Sequence, residues 1–347
     1  MSLLDDYHAL RAGAAIVDRS ARGRLVLTGV DRRSYLQGLL SNDIAALEAG
    51  SGCYATYLTA QGRMIADMRV FETGDNLLVD LDGTLAAAVS DRWSQFIFSE
   101  DVSVANNSAS TSQVGVFGPQ SAPVLARALG DAEASGQQWE DTLRRMPVNA
   151  IRTCNFRAQL VQVLRSDDIG VMGFEIILPS RLEDDFVTSL RSAGAIEVGT
   201  DAVEVCRVEG GRPLFHVDMD EDTIPLEAGI EDRAVSLTKG CYVGQEVIIR
   251  VLHRGHGRVA RRLVGMTFAP GSSVPSRGDR IFSADRDIGS ITSAVESPAL
   301  GAPISLGYVH RDFQQPGTSV RVGERNGTVS TLPFVPTGSA SEPVAAD

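Results

Sequence analysis

The chain has 347 residues, 43% of them hydrophobic, and carries 44 acidic against 32 basic side chains for a net charge of -12. That length exceeds one compact core of usual size and predicts two or three domains. The acidic balance argues against a general nucleic-acid binder, whose affinity rests on neutralising phosphates, while leaving room for a local basic pocket for a small anion.

The first predicted strand is RLVLTG, residues 24–29, ending in glycine. Asp31 then stands where it can cap a helix running to Leu40, with Tyr35, Leu36, Leu39 and Leu40 at helical spacing. CYATYLTAQGRMIADMRVFE reads as two alternating strands around the polar turn TAQGR. NLLVDL adds a strand, Thr84 to Phe96 an amphipathic helix and DVSVAN a closing strand.

From residue 113 the same order returns. QVGVFGPQSAPVLARAL repeats the strand, glycine and helix of VLTGVDRRSYLQGLL, with Pro119 suited to the first helical turn. After a polar linker at 131–146 come the strands QLVQVL and GFEIILP, a helix from Ser180 to Ser192 and the short strand AIEV. This repetition predicts a duplicated α+β unit, 1–255, with halves near 1–110 and 111–255. Short β-rich segments punctuated by Gly, Pro and Ser then predict a small barrel or sandwich over 256–333, followed by a disordered tail at 334–347.

The cysteines, Cys53, Cys154, Cys206 and Cys241, form no C-x-x-C pair, which suggests a reducing compartment and neither a disulfide framework nor a stably bound metal. The N-terminus lacks the order of a signal peptide and no apolar run approaches membrane-spanning length, so a soluble cytoplasmic protein is expected. Oligomeric state is left open.

The densest cluster of chemically useful side chains is KGCYVGQEVIIR, 239–250. Val243, Val247 and Val251 fall at i, i+4, i+8, and Glu246 precedes Arg250 by four, the better orientation for a helical ion pair. A helix starting near Tyr242 would put Cys241 at its N-terminal end, where the dipole and Lys239 favour a thiolate. Plainer readings stand beside this one. Cys241 can be a small buried hydrophobe, and VIIRVLH can be a strand, with Gly244 weakening the helix.

Lys239, Gly240, Cys241, Tyr242, Gly244, Gln245, Glu246 and Arg250 resemble the motif of the YgfZ family, folate-binding proteins linked to iron–sulfur cluster maintenance. The wider chain is similar to the aminomethyltransferase T-protein of glycine cleavage in the phrases GVDRRSYLQGLLSNDI, GRMIADMRVF, GFEIILP, RVEGGRPLFHVD, IPLEAGI and DIGSITSAVESPALGAPISLGYV. The resemblance implies a duplicated ferredoxin-like folate-binding domain and a C-terminal β-barrel, arranged as a T-protein-like ring around a central pocket. It implies tetrahydrofolate as ligand, Cys241, Lys239 and Asp67 as candidate catalytic residues, and Asp67, Arg207, Glu209, Tyr242, Gln245, Glu246 and Arg250 as candidate folate contacts.

Two departures bear on the chemistry. T-proteins carry paired aspartates where this chain has Ala66 and Asp67, so Asp67 matches the second acid; on an alternating strand it shares a face with Ile65 and Arg69, as a pocket wall or a surface ion pair. T-proteins also place a glutamate just before G-F-E, where this chain has Val171. A pterin held there would leave ring atoms unpaired at roughly 1–3 kcal/mol.

Arg207 and Glu209 read, without the family, as an exposed ion pair at a helix end. Seven acids between Asp218 and Asp232 precede the motif and five arginines between Arg250 and Arg262 follow it. They are either solvated faces or, for the arginines, a grip on the glutamate tail of folate. His253 and His256, among glycines, suggest a turn rather than a metal pair.

Three functional readings follow. One is a folate-binding accessory protein for iron–sulfur clients, with Cys241 as a working thiol. The second is a tetrahydrofolate-dependent aminomethyl or methyl transferase with Asp67 as base, against which Ala66 and Val171 count. The third is a scaffold without chemistry, in which Cys241→Ala behaves as wild type.

Overall fold

The structure is a computed structural model that describes residues 2–130, 136–253 and 258–336. The chain begins with α1 (Leu3–Ala12) and β1 (Ala15–Asp18), then enters a first unit of β2 (Arg22–Thr28), α2 (Arg32–Leu39), β3 (Gly52–Leu58), β4 (Met64–Glu72), β5 (Leu77–Asp82), α3 (Gly83–Gln95) and β6 (Ser103–Asn106). The second unit is β7 (Thr111–Phe117), α4 (Ser121–Leu129), α5 (Gly136–Arg145), β8 (Ile151–Phe156), β9 (Gln159–Ser166), β10 (Gly173–Pro179), α6 (Glu183–Ser192) and β11 (Ile196–Glu197). A helical arm, α7 (Thr200–Glu209), α8 (Pro225–Ala228), α9 (Glu231–Ala234) and α10 (Gln245–His253), leads to β12 (Arg261–Phe268), β13 (Arg280–Ser283), β14 (Arg286–Ser297), β15 (Ala302–His310), β16 (Ser319–Val322) and β17 (Arg325–Ser330).

The strands form sheets ordered β3-β4-β5-β2-β6 and β8-β9-β10-β7-β1-β11, and β12 to β17 close a barrel. This is the α+β architecture with a C-terminal β-barrel that the sequence predicts. In β2, Leu25 and Leu27 face α3 and join Trp93 in one core, while Val26 lies on the opposite face. Its counterpart β7 sends Val114 and Val116 to a core with Leu125 and Phe186. Between the sheets lies a layer of Phe71, Leu78, Ile151, Leu164 and Ile177. The strand period of two thus gives each sheet one face for its own helices and one for the other sheet.

The repeated glycine at the strand-to-helix turn has a steric cause. Gly29 and Gly118 have φ of 100° and 117°, and a Cβ would fall 1.9 Å from the Asp101 carbonyl oxygen or 2.4 Å from that of Gly13.

Several expectations are corrected. Asp31 occupies the cap position of α2, but its side chain accepts from the Asp101 N–H at 2.9 Å. Pro119 precedes α4, whose first turn holds Pro123 instead. The presumed polar linker contains α5, whose Leu143 is fully buried, and IRTCNF is a strand, β8, that its exposed polar positions disguised. The short strand of AIEV, β11, pairs parallel with β1 at the sheet edge, and β1, which the sequence reading did not assign, pairs antiparallel with β7. The barrel's end is continued by Phe334 and Val335, whose N–H groups donate to the Glu209 carbonyl at 2.9 and 3.0 Å, so these two are anchored. Of the turn expected at His253 and His256, His253 instead ends α10, while His256 and the remaining tail from 337 lie outside the described residues. Among the described residues no helix is long and apolar enough to cross a membrane, and no group of three or more His, Cys, Asp or Glu could hold a metal ion.

Candidate functional site

β4 positions the site. Ala66, Met68 and Val70 point to the helix-side core, which leaves Asp67, Arg69 and Phe71 toward the second sheet. Arg69 is buried and donates to Asp80 Oδ2 at 2.6 Å, Glu175 Oε1 at 2.6 Å and Ser166 Oγ at 2.7 Å. Gln113 donates to Glu175 at 2.6 Å, Arg22 grips Asp80 through two bonds of 2.9 Å, and Arg19 pairs with Glu175 and Asp168. Three guanidinium groups therefore meet three carboxylates between the sheets, in a network whose cost of burial is offset only while it is complete. Burial alone would raise Glu175, but Arg19 and Arg69 hold its carboxyl well below the usual range.

Above this network is a cavity of about 240 Å³ bordered by both sheets and the helical arm, with Tyr54, Asp67, Asn149, Arg212, Leu214 and Arg233 in its wall. Tyr54 donates its hydroxyl to Asp67 Oδ2 at 2.7 Å. Burial, then the neighbouring carboxylate, raises the Tyr54 pKa well above its ordinary value, so the phenol stays protonated and remains the donor. The Arg233 guanidinium carbon lies 4.4 Å from the Tyr54 ring centroid. Asn149 enters the wall in a left-handed conformation, φ 63°.

The predicted residues scatter relative to this cavity. Asp67 is in its wall, as is Arg207, which is not the exposed ion pair of the plainer reading: it is buried and donates to Asp218 at 2.6 Å and Ser293 at 2.7 Å, besides Glu204. Glu209 is fully buried elsewhere. It accepts from Tyr7 at 2.9 Å and Ser297 at 2.5 Å and pairs with Arg11, tying α1 and α7 to the barrel, with no oxygen turned to the cavity.

The KGCYVGQE segment performs anchoring. All three hydrogens of the Lys239 ammonium are taken, by the carbonyls of Gln37 at 2.7 Å, Leu40 at 2.6 Å and Asn42 at 2.8 Å, at the C-terminal end of α2. Burial lowers its pKa to about 8. Tyr242 is buried against Leu58, Met64 and Ile248. Gly244 turns with φ 85°, where a Cβ would lie 2.5 Å from the Thr59 carbonyl oxygen.

The helix starts at Gln245, not near Tyr242, so Cys241 is four residues short of it. The thiol is exposed, neither a buried hydrophobe nor at a helix end. VIIRVLH is helical and packs Ile248, Val251 and Leu252 against the core; of the valine series Val251 joins that face, while Val243 is exposed. Among the described residues the side chains of Gln245, Glu246 and Arg250 make no hydrogen bond or ion pair, and none borders the central cavity. An apolar groove of about 760 Å³, with Tyr35, Leu39, Phe98 and Val243 in its wall, lies beside the segment.

Two further readings change. Val171 belongs to an apolar core with Tyr7, Leu10, Phe117 and Cys206, so it leaves no polar gap in the cavity. The acidic and basic runs flanking the motif are not two solvated faces: Arg261 pairs with Glu227 and Arg262 with Glu231. Those arginines are thereby occupied away from the cavity. Tyr54, Asn149, Arg212 and Arg233 were missed. Counting back from the TAQGR turn puts Ala55 opposite Asp67, whereas a bulge between Tyr57 and Leu58 makes the partner Thr56 and Tyr54 the diagonal neighbour.

Comparison with known proteins gives a coherent picture. The GCVT N-terminal domain model matches residues 2–239, and that of the glycine cleavage T-protein C-terminal barrel domain matches 261–336. The chain is 30% identical to an aminomethyltransferase of Cutibacterium acnes over 95% of its own length and 90% of the relative's. It is 29% identical to that of Thermosynechococcus vestitus over 94% and 84% of the two chains. For that of Listeria monocytogenes the identity is 28% over 96% and 88%. The solved structure of the glycine cleavage system aminomethyltransferase T from Bartonella henselae shares the fold, with a TM-score of 0.84, 23% identity and coverage of 96% and 90%.

These matches correct the identification with the YgfZ family, and the iron–sulfur role and client proteins drawn from it go with it. That identification rested on one short segment, in which Lys239, Tyr242 and Gly244 serve local anchoring.

Proposed function

We propose, since the chain belongs to the family defined by the GCVT N-terminal domain and the glycine cleavage T-protein C-terminal barrel domain, that it binds tetrahydrofolate in the central cavity and transfers a one-carbon unit between that carrier and an amine. The observation that carries this reading is the Asp67 carboxylate, half-buried in the cavity wall with one oxygen fixed by Tyr54.

The residues present suit such a ligand. About 240 Å³ is below the range of roughly 300–1,000 Å³ common for drug-sized ligands, so it takes a bicyclic head and leaves the remainder of a folate at the opening. Asp67 Oδ1 is free to accept from an N–H edge or an ammonium, and Asn149 adds an amide. When bound, tetrahydrofolate supplies the nitrogen nucleophiles that carry the carbon. The chain's own contribution is to orient Asp67 through Tyr54 and to stabilise positive charge developing on the amine. It also offers a proton acceptor beside the ligand. The arginines of the wall balance the fixed negative charge. A partner that presents the amine, drawn from the components of a glycine cleavage system, is part of the same proposal.

The test uses purified full-length protein. Calorimetry should detect tetrahydrofolate, and methylenetetrahydrofolate should be consumed with ammonia and a dithiol to give tetrahydrofolate and an S-aminomethyl thiol. Absence of both binding and turnover, or unchanged turnover in Asp67→Asn, rejects the reading.

A further inference from the structure

Two guanidinium groups in the central cavity have hydrogen-bonding capacity that the protein leaves unused. Arg212 pairs with Asp167 through one terminal nitrogen, but its Nε is buried without a hydrogen-bond partner. Arg233 makes no ion pair among the described residues; its guanidinium is stacked on Tyr54, while its main-chain carbonyl accepts from Asn42 at 3.0 Å and fixes the residue in place. The two cations are close enough to repel each other. The other wall arginines, Arg22, Arg69 and Arg207, are engaged by carboxylates.

We propose that Arg212 and Arg233 form a carboxylate-binding subsite of the central cavity, beside Asp67. Two guanidinium groups in one cavity wall, each with N–H groups the protein leaves free, suit a planar carboxylate. An anion there satisfies the buried Nε and relieves the repulsion between the two cations. With Asp67 in the same cavity, a ligand bearing an amine and a carboxylate is held at both ends. The carboxylate belongs either to the amine substrate or to the glutamyl end of a folate seated with that end inward, and for those two identities the inference rests on the function proposed above.

Calorimetry on the full-length protein separates the sources. Arg233→Gln removes a side chain without an ion-pair partner and keeps the fold, which circular dichroism checks. The probes are tetrahydrofolate against tetrahydropteroate, which lacks the glutamyl group, and sarcosine against dimethylamine, which lacks the carboxylate. The expected result is at least a tenfold loss of affinity in Arg233→Gln for the carboxylated member of one pair, partial recovery in Arg233→Lys, and no change for its carboxylate-free partner. The pair that responds names the source. Equal affinities of wild type and Arg233→Gln for all four probes, equal losses within both pairs, or no binding of any probe by wild type would overturn the subsite. If folate turnover persists while the subsite fails, the proposed function stands without it; loss of tetrahydropteroate binding and turnover in wild type rejects both.

Discussion

Tyr54 donates to Asp67 at 2.7 Å from the neighbouring strand, while its ring lies 4.4 Å from the guanidinium carbon of Arg233. One tyrosine thus links the acid of the cavity to a cation supplied by α9. The register pairs Thr56 with Asp67 and Tyr54 with Arg69, so the bond is a diagonal cross-strand contact.

Asp67→Asn should reduce folate-dependent turnover by about 10²-fold or more, the usual scale for a positioned proton acceptor. Tyr54→Phe, which keeps the ring and removes the donor, should cost less, about tenfold. Steady-state kinetics beside urea denaturation would separate this from instability, because Asp67 makes no ion pair among the described residues whose loss would unfold the chain. A Tyr54→Phe variant with wild-type kcat and KM would remove the orienting role.

Lys239→Met should destabilise the protein by about 2–3 kcal/mol, since it leaves three carbonyls without their shared donor, one of them buried and two part-buried. The urea midpoint measures it. A loss below roughly 0.5 kcal/mol would mean that water replaces the ammonium.

Cys241 is exposed, whereas burial pushes the thiols of Cys53, Cys154 and Cys206 up to about 12. An aromatic disulfide reagent should therefore titrate one thiol in the native protein and four in denaturant. Cys241→Ala should change stability by under roughly 0.5 kcal/mol and leave folate turnover intact. A large loss of turnover would return the thiol to the mechanism.

The network between the sheets predicts an acid limb. Burial would raise Asp80 and Glu175, but Arg22 and Arg69 in one case, Arg19 and Arg69 in the other, depress both. A depressed folded pKa stabilises fully above the unfolded value, near about 4, and that stabilisation is lost as pH falls through the folded value. Stability should be level around neutrality and fall below about pH 4. Glu175→Gln should lower the plateau by about 3 kcal/mol, because it leaves Arg19 and Arg69 short of a buried counter-charge, and should flatten the acid limb. An unchanged limb in that variant would place acid sensitivity elsewhere.

Much of the architecture was legible in the sequence because its signals are local. Alternation in VLTG, MRVF and EIIL sets which side chains face a sheet, and glycine at Gly29 and Gly118 meets a steric demand present in each turn. The same alternation put Asp67 and Arg69 on one face. What fills that face was decided only by the second sheet: Arg69 meets Glu175, 106 residues away, and β1, from the start of the chain, pairs with β7 of that sheet. Lys239 shows the same limit. Beside a cysteine it suggests thiol activation, yet its ammonium is spent on carbonyls some 200 residues earlier. A sequence states which groups a chain possesses and which way each strand turns them. Which charge meets which depends on contacts between distant segments, and a buried charge has to find its partner there because water cannot serve.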